Sequence, residues 1–270
     1  MSNAQATSAE AQSIYEDRDS LTFRDGVKTK GRLPVVREVP LTIFLNGKEL
    51  ATLVCSPDSF ETLAIGYLVS EGVLHKRDDL KDAICRPEQG AVWVDTVDGA
   101  AQPDGLLRRY FAGCREGRPS PHPIDDCRQF PPITHGASFT AGNLLELIAL
   151  LDREARTYRL TGGVHEVALA HKEGFVVRCE DIGRRNALDR VLGYTFLNGI
   201  DASDKAVVLS ARIASDMVAR AMRIGVPVMV SPAAPTCLAI DLAEQLGVTI
   251  VGFARGNSLN VYSHPERVVE

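Results

Sequence analysis

Several features that would assign this chain to a common class are missing from it. No stretch approaches 18 consecutive apolar residues, and the N-terminus lacks the basic-then-apolar pattern of a secretory signal, so neither a membrane helix nor export is expected. The expected compartment is the cytoplasm. A net charge of −5 leaves no broad positive footprint, so nucleic acid is not an expected partner, although local basic patches remain open. The six cysteines, Cys55, Cys85, Cys114, Cys127, Cys179 and Cys237, are too scattered for a secreted disulfide framework, and most are expected to be small buried hydrophobes. Zinc is also disfavoured. Cys114, His122, Cys127 and His135 stand eight, five and eight positions apart, whereas structural zinc sites favour ligands two to four apart. The zinc-deaminase signature fails too, because His165-Glu166 has no spacer and Ile240 stands where the second cysteine after Cys237 would be. No serine lies in a Gly-x-Ser-x-Gly elbow, which argues against a serine hydrolase, and no internal repeat is visible beyond a regular spacing of strands.

What is present is an ordinary globular composition, 45% hydrophobic over 270 residues, enough for one large domain or two modest ones. Residues 1–30 are polar and weakly periodic and read as a mobile arm. Residues 31–107 read as a small α+β unit. In it the runs Val39 to Leu45 and Leu50 to Cys55 flank Asn46-Gly47, a hairpin turn whose two positions tolerate positive φ. A helix follows, with Asp58 and Glu61 as a capping box, and short strands around Ala83 to Arg86 and Ala91 to Val97 complete the unit. Residues 108–135 hold Pro119, Pro121, Pro123, Pro131 and Pro132 and read as a long mobile loop. Residues 136–270 read as a helix over Leu144 to Leu151, a hairpin, a helix over Gly183 to Leu197, and strand-helix alternation to Tyr262.

That alternation carries the clearest functional signal. Three apolar runs, starting at Val207, Val228 and Val248 and so about 21 residues apart, each pass into a small polar cluster: Ser210-Ala211-Arg212, Ser231 to Thr236, and Phe253 to Ser258. Successive parallel strands joined by crossover helices deliver their C-terminal ends to one edge of the sheet, where open α/β sheets bind ligands. Arg212 and Arg255 can grip phosphate or carboxylate there, and Pro235 suits the first turn of the helix running to Leu246. Ser210 and Ser231 have a simpler reading as helix caps. His165, just after Gly162-Gly163, is either a ligand contact or a satisfied, partly buried histidine. Glu180 and Asp181 suit a helix start through the macrodipole. Arg184 and Arg185 oppose that dipole and make sense if an anion lies between them and the free N–H groups. In the proline-rich loop Cys114 stands among Arg108, Arg109, Arg115 and Arg118, cations that favour a thiolate. Cys127 stands beside Asp125 and Asp126, which oppose one. Two incidental loop cysteines remain the alternative.

The chain resembles the formate dehydrogenase accessory sulfurtransferase family, usually called FdhD, over roughly residues 38–270. The resemblance rests on Glu38-Val-Pro-Leu-Thr-Ile with Asn46-Gly47, Leu63 to Gly72, Thr161-Gly-Gly-Val-His165, Glu180 to Asp189, Ser210-Ala-Arg212, Ala234-Pro-Thr236, Gly252-Phe-Ala-Arg255 and Asn260-Val-Tyr262. It implies a three-layer, cytidine-deaminase-like C-terminal domain without zinc. It also implies a homodimer whose loop cysteine takes persulfide sulfur from a cysteine desulfurase. That sulfur passes to a molybdenum cofactor, the bis-molybdopterin guanine dinucleotide form, destined for formate dehydrogenase. Carried over, Cys114 is the persulfide carrier. The cofactor, or a GDP-like mimic, is expected on Phe253, Ala254, Arg255, Gly256, Asn257 and Ser258, with Arg184, Ser210, Arg212, Thr236 and His165. The family commonly shows Cys-x-x-Cys in this loop, but here Arg115, Glu116 and Gly117 follow Cys114. Cys127 is the substitute second thiol, or else the chain binds cofactor as a chaperone without transferring sulfur.

Overall fold

The computed structural model describes residues 13–97, 108–109 and 130–270. Its first element departs from the expectation of a mobile arm through residue 30. β1 (Tyr15–Arg24) and β2 (Val27–Val36) form an antiparallel ribbon in full register, from Tyr15 opposite Val36 to Arg24 opposite Val27. Nearly every side chain in it faces solvent, and its sequence carries only the short alternating pairs Leu21/Phe23 and Leu33/Val35, not the sustained two-residue alternation of a half-buried strand.

β3 (Val39–Leu45) and β4 (Lys48–Cys55) form the expected hairpin, with Asn46 at φ 49° and Gly47 at φ 77° supplying the two left-handed turn residues. α1 (Phe60–Ser70) follows. The capping box expected from Asp58 and Glu61 does not form. The residue before α1 is Ser59, itself left-handed at φ 42°, and its hydroxyl donates to Asp58 Oδ1 instead of capping the helix. β5 (Leu80–Arg86), β6 (Ala91–Thr96) and β7 (Arg108–Arg109) complete a five-stranded sheet in the order β5-β6-β3-β4-β7. The backbone at 108–109, expected to be loop, therefore runs parallel to β4 and pairs with Ala51 and Thr52.

The second layered unit contains β8 (Phe139–Thr140), α2 (Ala141–Glu154), α3 (Arg156–Thr161), β9 (His165–His171), β10 (Gly174–Asp181) and α4 (Arg184–Leu197). β11 (Ala206–Leu209), α5 (Ser215–Met222), β12 (Val228–Val230), α6 (Cys237–Leu246), β13 (Thr249–Arg255), β14 (Ser258–Val261) and β15 (Val268–Val269) follow. Six strands make one sheet, β10-β9-β11-β12-β13-β14, whose centre β11-β12-β13 is parallel. Alternate residues point to opposite faces. Ala168, Ala170, Val208, Val230 and Val251 pack with Leu144, Leu147 and Leu151 of α2, while Val167, Leu169, Val207, Met229 and Ile250 face α4, α5 and α6. Helices thus cover both faces, giving a three-layer α/β/α stack. Pro235, expected in the first turn of α6, stays outside it and pairs with Ile213, leaving Thr236 as the cap.

The two units share one hydrophobic core. α1 is buried along Leu63 to Val69, as a helix apolar on every side must be, and it lies against α4. Crossing this closely needs backbone on backbone. A Cβ at Gly66 would stand 1.6 Å from the Asp189 carbonyl oxygen, and one at Gly193 would stand 1.9 Å from that of Thr62. Any side chain larger than hydrogen at either position would force the helices apart.

Candidate functional site

Strand directions bring the three polar clusters to one edge. β11, β12 and β13 run parallel and end there; β9, antiparallel to β11, begins there at His165, and β10 ends there at Asp181, opposite His165. Backbone hydrogen bonds then stitch the clusters together. Ile213 N–H donates to Ala234 O at 3.2 Å, Thr236 N–H to Ile213 O at 3.0 Å, Phe253 N–H to Ala233 O at 3.1 Å and Ala254 N–H to Ser231 O at 3.0 Å. The edge is a braced surface and not a set of separate loop tips.

The hydroxyls are part of that bracing. Ser210 exchanges bonds with Glu166, accepting the Glu166 N–H on its Oγ at 3.0 Å and giving its own N–H to Glu166 O at 2.9 Å. Buried Ser231 donates its hydroxyl to Ala211 O at 2.7 Å and accepts from Ala233 N–H. Neither caps the following helix, contrary to the simpler expectation. Thr236 does cap, accepting the Ala239 N–H at 3.3 Å.

The cations divide. Among the described residues Arg212 is exposed and in no ion pair, and Arg255 is exposed with its guanidinium 5.9 Å from the Phe253 ring. Arg185 is taken by Asp216, so the expected Arg184–Arg185 pincer reduces to Arg184. There the Asp216 carboxyl is pulled up by burial but held below its ordinary pKa by the Arg185 charge and hydrogen bond, with Arg184 adding to the effect. Arg184 keeps a buried Nε without a hydrogen-bond partner. His165 is half-buried; burial and then the Arg184 charge lower its pKa, against an opposing push from Asp181. It is therefore neutral at pH 7 and offers one donor and one acceptor.

Phe253 carries the sharpest backbone feature of the edge. It is exposed, non-glycine and left-handed at φ 51°, inside a register shift between Gly252 and Arg255 where β13 bulges against β14. Bulges and left-handed residues of this kind re-aim side chains and concentrate at ligand sites. Gly256, Asn257 and Ser258 follow on the exposed turn. Ala254 does not belong with them: its side chain is 0% exposed and packs in the core under α2, so it offers a ligand no side-chain contact. Cys114 and Cys127 lie outside the described residues. Among the described cysteines, Cys55 is pushed up to about 12 and Cys179 to about 11, burial being the main cause in each. Cys237, the first residue of α6, is exposed at the edge.

Behind the edge Asp181, expected at a helix start, instead forms a buried ion pair. Asp181 and Arg190 are 0% and 1% exposed, and Asp181 Oδ2 accepts from Arg190 Nη2 at 2.7 Å and Nε at 3.1 Å. Its Oδ1 accepts from Gly183 N–H and Asn186 Nδ2, each at 2.9 Å. The cap itself is Gly183, and Glu180 instead accepts the Thr157 hydroxyl at 2.6 Å. Asp181, Asn186 and Arg190 fall within ten positions, so the signal lay in the sequence, but their partner Ser56 is 125 residues away.

With this geometry in view, the comparisons place the chain. The family model described as the FdhD/NarQ family matches residues 36–269, and the chain belongs to that family. Among curated relatives, the sulfur carrier protein FdhD of Bacillus subtilis (strain 168) is 38% identical over 255 residues, 94% of this chain and 97% of that protein. That of Bacillus pumilus (strain SAFR-032) is 36% identical over 259 residues, 96% and 99% respectively. A crystal structure of a proposed formate dehydrogenase accessory protein from Desulfotalea psychrophila superposes with a TM-score of 0.79 at 25% identity, over 95% of this chain and all of that one.

Proposed function

We propose that this chain is a sulfur carrier in formate dehydrogenase maturation, acting between a cysteine desulfurase and a molybdenum cofactor of the bis-molybdopterin guanine dinucleotide type. The observation that carries the reading is the braced strand-end edge, where Arg212, Arg255 and Arg184 are in no ion pair among the described residues and Arg255 lies over the exposed Phe253 ring, in a chain whose relatives are named sulfur carriers. Guanidinium groups suit the diphosphate of the guanine dinucleotide, and the Phe253 ring suits the flat base. His165, Ser210, Thr236 and the 256–258 turn line the same edge. The three-layer sheet is read as a deaminase-like scaffold carrying this site in place of zinc. A cytoplasmic homodimer is the expected form.

In the first step the Cys114 thiolate attacks the outer sulfur of the desulfurase persulfide; a new S–S bond forms, the old one breaks, and the desulfurase cysteine leaves as thiolate. In the second the outer sulfur passes to the acceptor while the bonding pair stays on Cys114, so the acceptor supplies the electrons of the new bond. β7 runs parallel to β4, and Cys114 follows Arg109 by five residues in the sequence.

A chaperone that binds the cofactor without covalent chemistry is the second reading, favoured by the lack of a cysteine three positions after Cys114. Cells whose only copy carries Cys114→Ala separate the two. Sulfur carriage predicts loss of formate dehydrogenase activity, and retained activity would establish the chaperone. A Cys127→Ala strain reports whether the second loop thiol takes part.

A further inference from the structure

The β1–β2 ribbon belongs to neither layered unit. Its two strands pair with each other and with no third strand among the described residues, so both edges are open. At its base β2 lies against α3, and Val36 packs over Gly163, where a Cβ would stand 2.6 Å from the valine side chain. Most of the large hydrophobic side chains left exposed among the described residues lie here: Leu21, Phe23, Val27, Leu33 and Val35 on the ribbon, Tyr158 and Leu160 on α3. A two-stranded ribbon is marginally stable alone in water, and clustered exposed apolar groups mark an interaction surface.

The charge on one face indicates what covers it. Register sets Asp17 opposite Pro34, Asp19 opposite Arg32, Leu21 opposite Lys30 and Phe23 opposite Lys28, and the pleat puts all of these side chains on the same face. Toward the turn that face is basic and apolar, with the Lys28 ammonium 6.0 Å from the centre of the Phe23 ring. Toward the body it is acidic. Arg32 is engaged within its own ribbon, donating to the Asp17 carbonyl at 2.8 Å with its Nε 3.6 Å from the Asp19 carboxylate. Such a face is complementary to itself turned end for end. Two copies packed through it about a two-fold axis level with Ser20 and Gly31 bring Phe23 and Lys28 of each to Asp17 and Pro34 of the other, and Leu21 and Lys30 to Asp19. We propose that this face of the ribbon joins two copies of the chain, with Lys28 meeting Asp17 and Lys30 meeting Asp19 across the two-fold. The pairing gives the expected homodimer its surface and holds whether or not Cys114 carries sulfur.

Sedimentation of the full chain tests this with two charge-reversed proteins. Lys28→Glu with Lys30→Glu makes the face acidic throughout, and Asp17→Lys with Asp19→Lys makes it basic throughout. Each variant should dimerise at least about tenfold more weakly than wild type, because like charges then face each other across the two-fold. Mixed in equal amounts, the two should form a heterodimer, since acid meets base at both ends. Unchanged circular dichroism confirms that the variants fold. Should either not fold, wild-type protein reads the same pairs through salt: dimer affinity should fall severalfold between about 0.05 M and about 0.5 M, as exposed charges are screened. Wild-type dimerisation by a folded variant, two monomeric variants that do not associate when mixed, or, where a variant does not fold, a dimer indifferent to salt overturns the pairing and leaves the homodimer to another surface. A monomeric wild-type protein overturns the pairing and the homodimer together, and leaves the sulfur-carrier reading standing.

Discussion

Two populations of arginine stand out among the described residues. Arg190, Arg220 and Arg178 are matched to carboxylates: Arg190 to Asp181 at 2.7 Å, Arg220 to Asp189 at 3.1 Å and Glu71 at 3.7 Å, Arg178 to Glu166 at 3.0 Å with Glu154 and Glu180 each at 3.6 Å. By contrast, Arg212 and Arg255 face solvent with no carboxylate among the described residues. The difference sorts one residue type into two tasks. Guanidinium groups matched to carboxylates, with several fixed donors each, lock helices and loops into register, while those of Arg212 and Arg255 have no carboxylate among the described residues and are the ones proposed to meet an anion.

Substitutions can break that contrast. The largest effect is expected at the interior pair: Arg190→Ala leaves buried Asp181 and the carbonyls of Ser56 and Asp58 without their donor, and should cost about 3–5 kcal/mol in urea unfolding. Next comes the edge. Arg212→Ala and Arg255→Ala should leave stability within about 0.5 kcal/mol, as surface changes usually do, yet each should weaken GDP binding about tenfold, worth roughly 1.4 kcal/mol. Raising the salt concentration should narrow the difference between wild type and these variants, because exposed charges are screened. If Arg212→Ala unfolded the protein and Arg190→Ala spared it, the division would be reversed.

A third expectation concerns pH. Burial pushes the Asp189 carboxyl up to about 7, against the lowering effect of Arg220, and Glu71 adds to the rise. The unfolded value lies near 4, so the folded state binds the proton more tightly, and the stability this brings is full below about pH 4 and lost as pH rises through about 7. Relative to Asp189→Asn, wild-type protein should lose stability over that window with a slope of at most about 1.4 kcal/mol per pH unit. Equal pH profiles for the two would mean that Asp189 is charged throughout. The smallest perturbation is chemical. Iodoacetamide at pH 8 should modify exposed Cys237 before Cys85, and Cys179 and Cys55 last, because thiols near 11 and 12 are ionised to about one part in a thousand or less there. Peptide mass spectrometry gives the order.

The parts of this arrangement differ in how far the sequence revealed them. The Asn46-Gly47 hairpin and the edge where β11, β12 and β13 end were legible, since each depends on local turn chemistry or on the length of one crossover. The β1–β2 ribbon was not, because a strand exposed on both faces needs no sustained alternation, and its short apolar pairs, Leu21/Phe23 and Leu33/Val35, remain solvent-facing. Asp58 and Asp181 were misread for a shared reason. An acid before an apolar helix fits a cap, yet the Asp58 carbonyl is claimed by Arg190, and Asp181 by Arg190 and Ser56 from another sheet. Ala254 fell within a binding run by position, while the bulge at Phe253 turned its side chain into the core.

The most direct measurement is the mass of the peptide containing Cys114 after incubation with a cysteine desulfurase and free cysteine, under non-reducing conditions. A sulfur carrier predicts a gain of about 32 Da on that peptide, removed by a reductant and absent from Cys114→Ala. An unmodified Cys114 peptide beside a desulfurase shown to carry its own persulfide would contradict it.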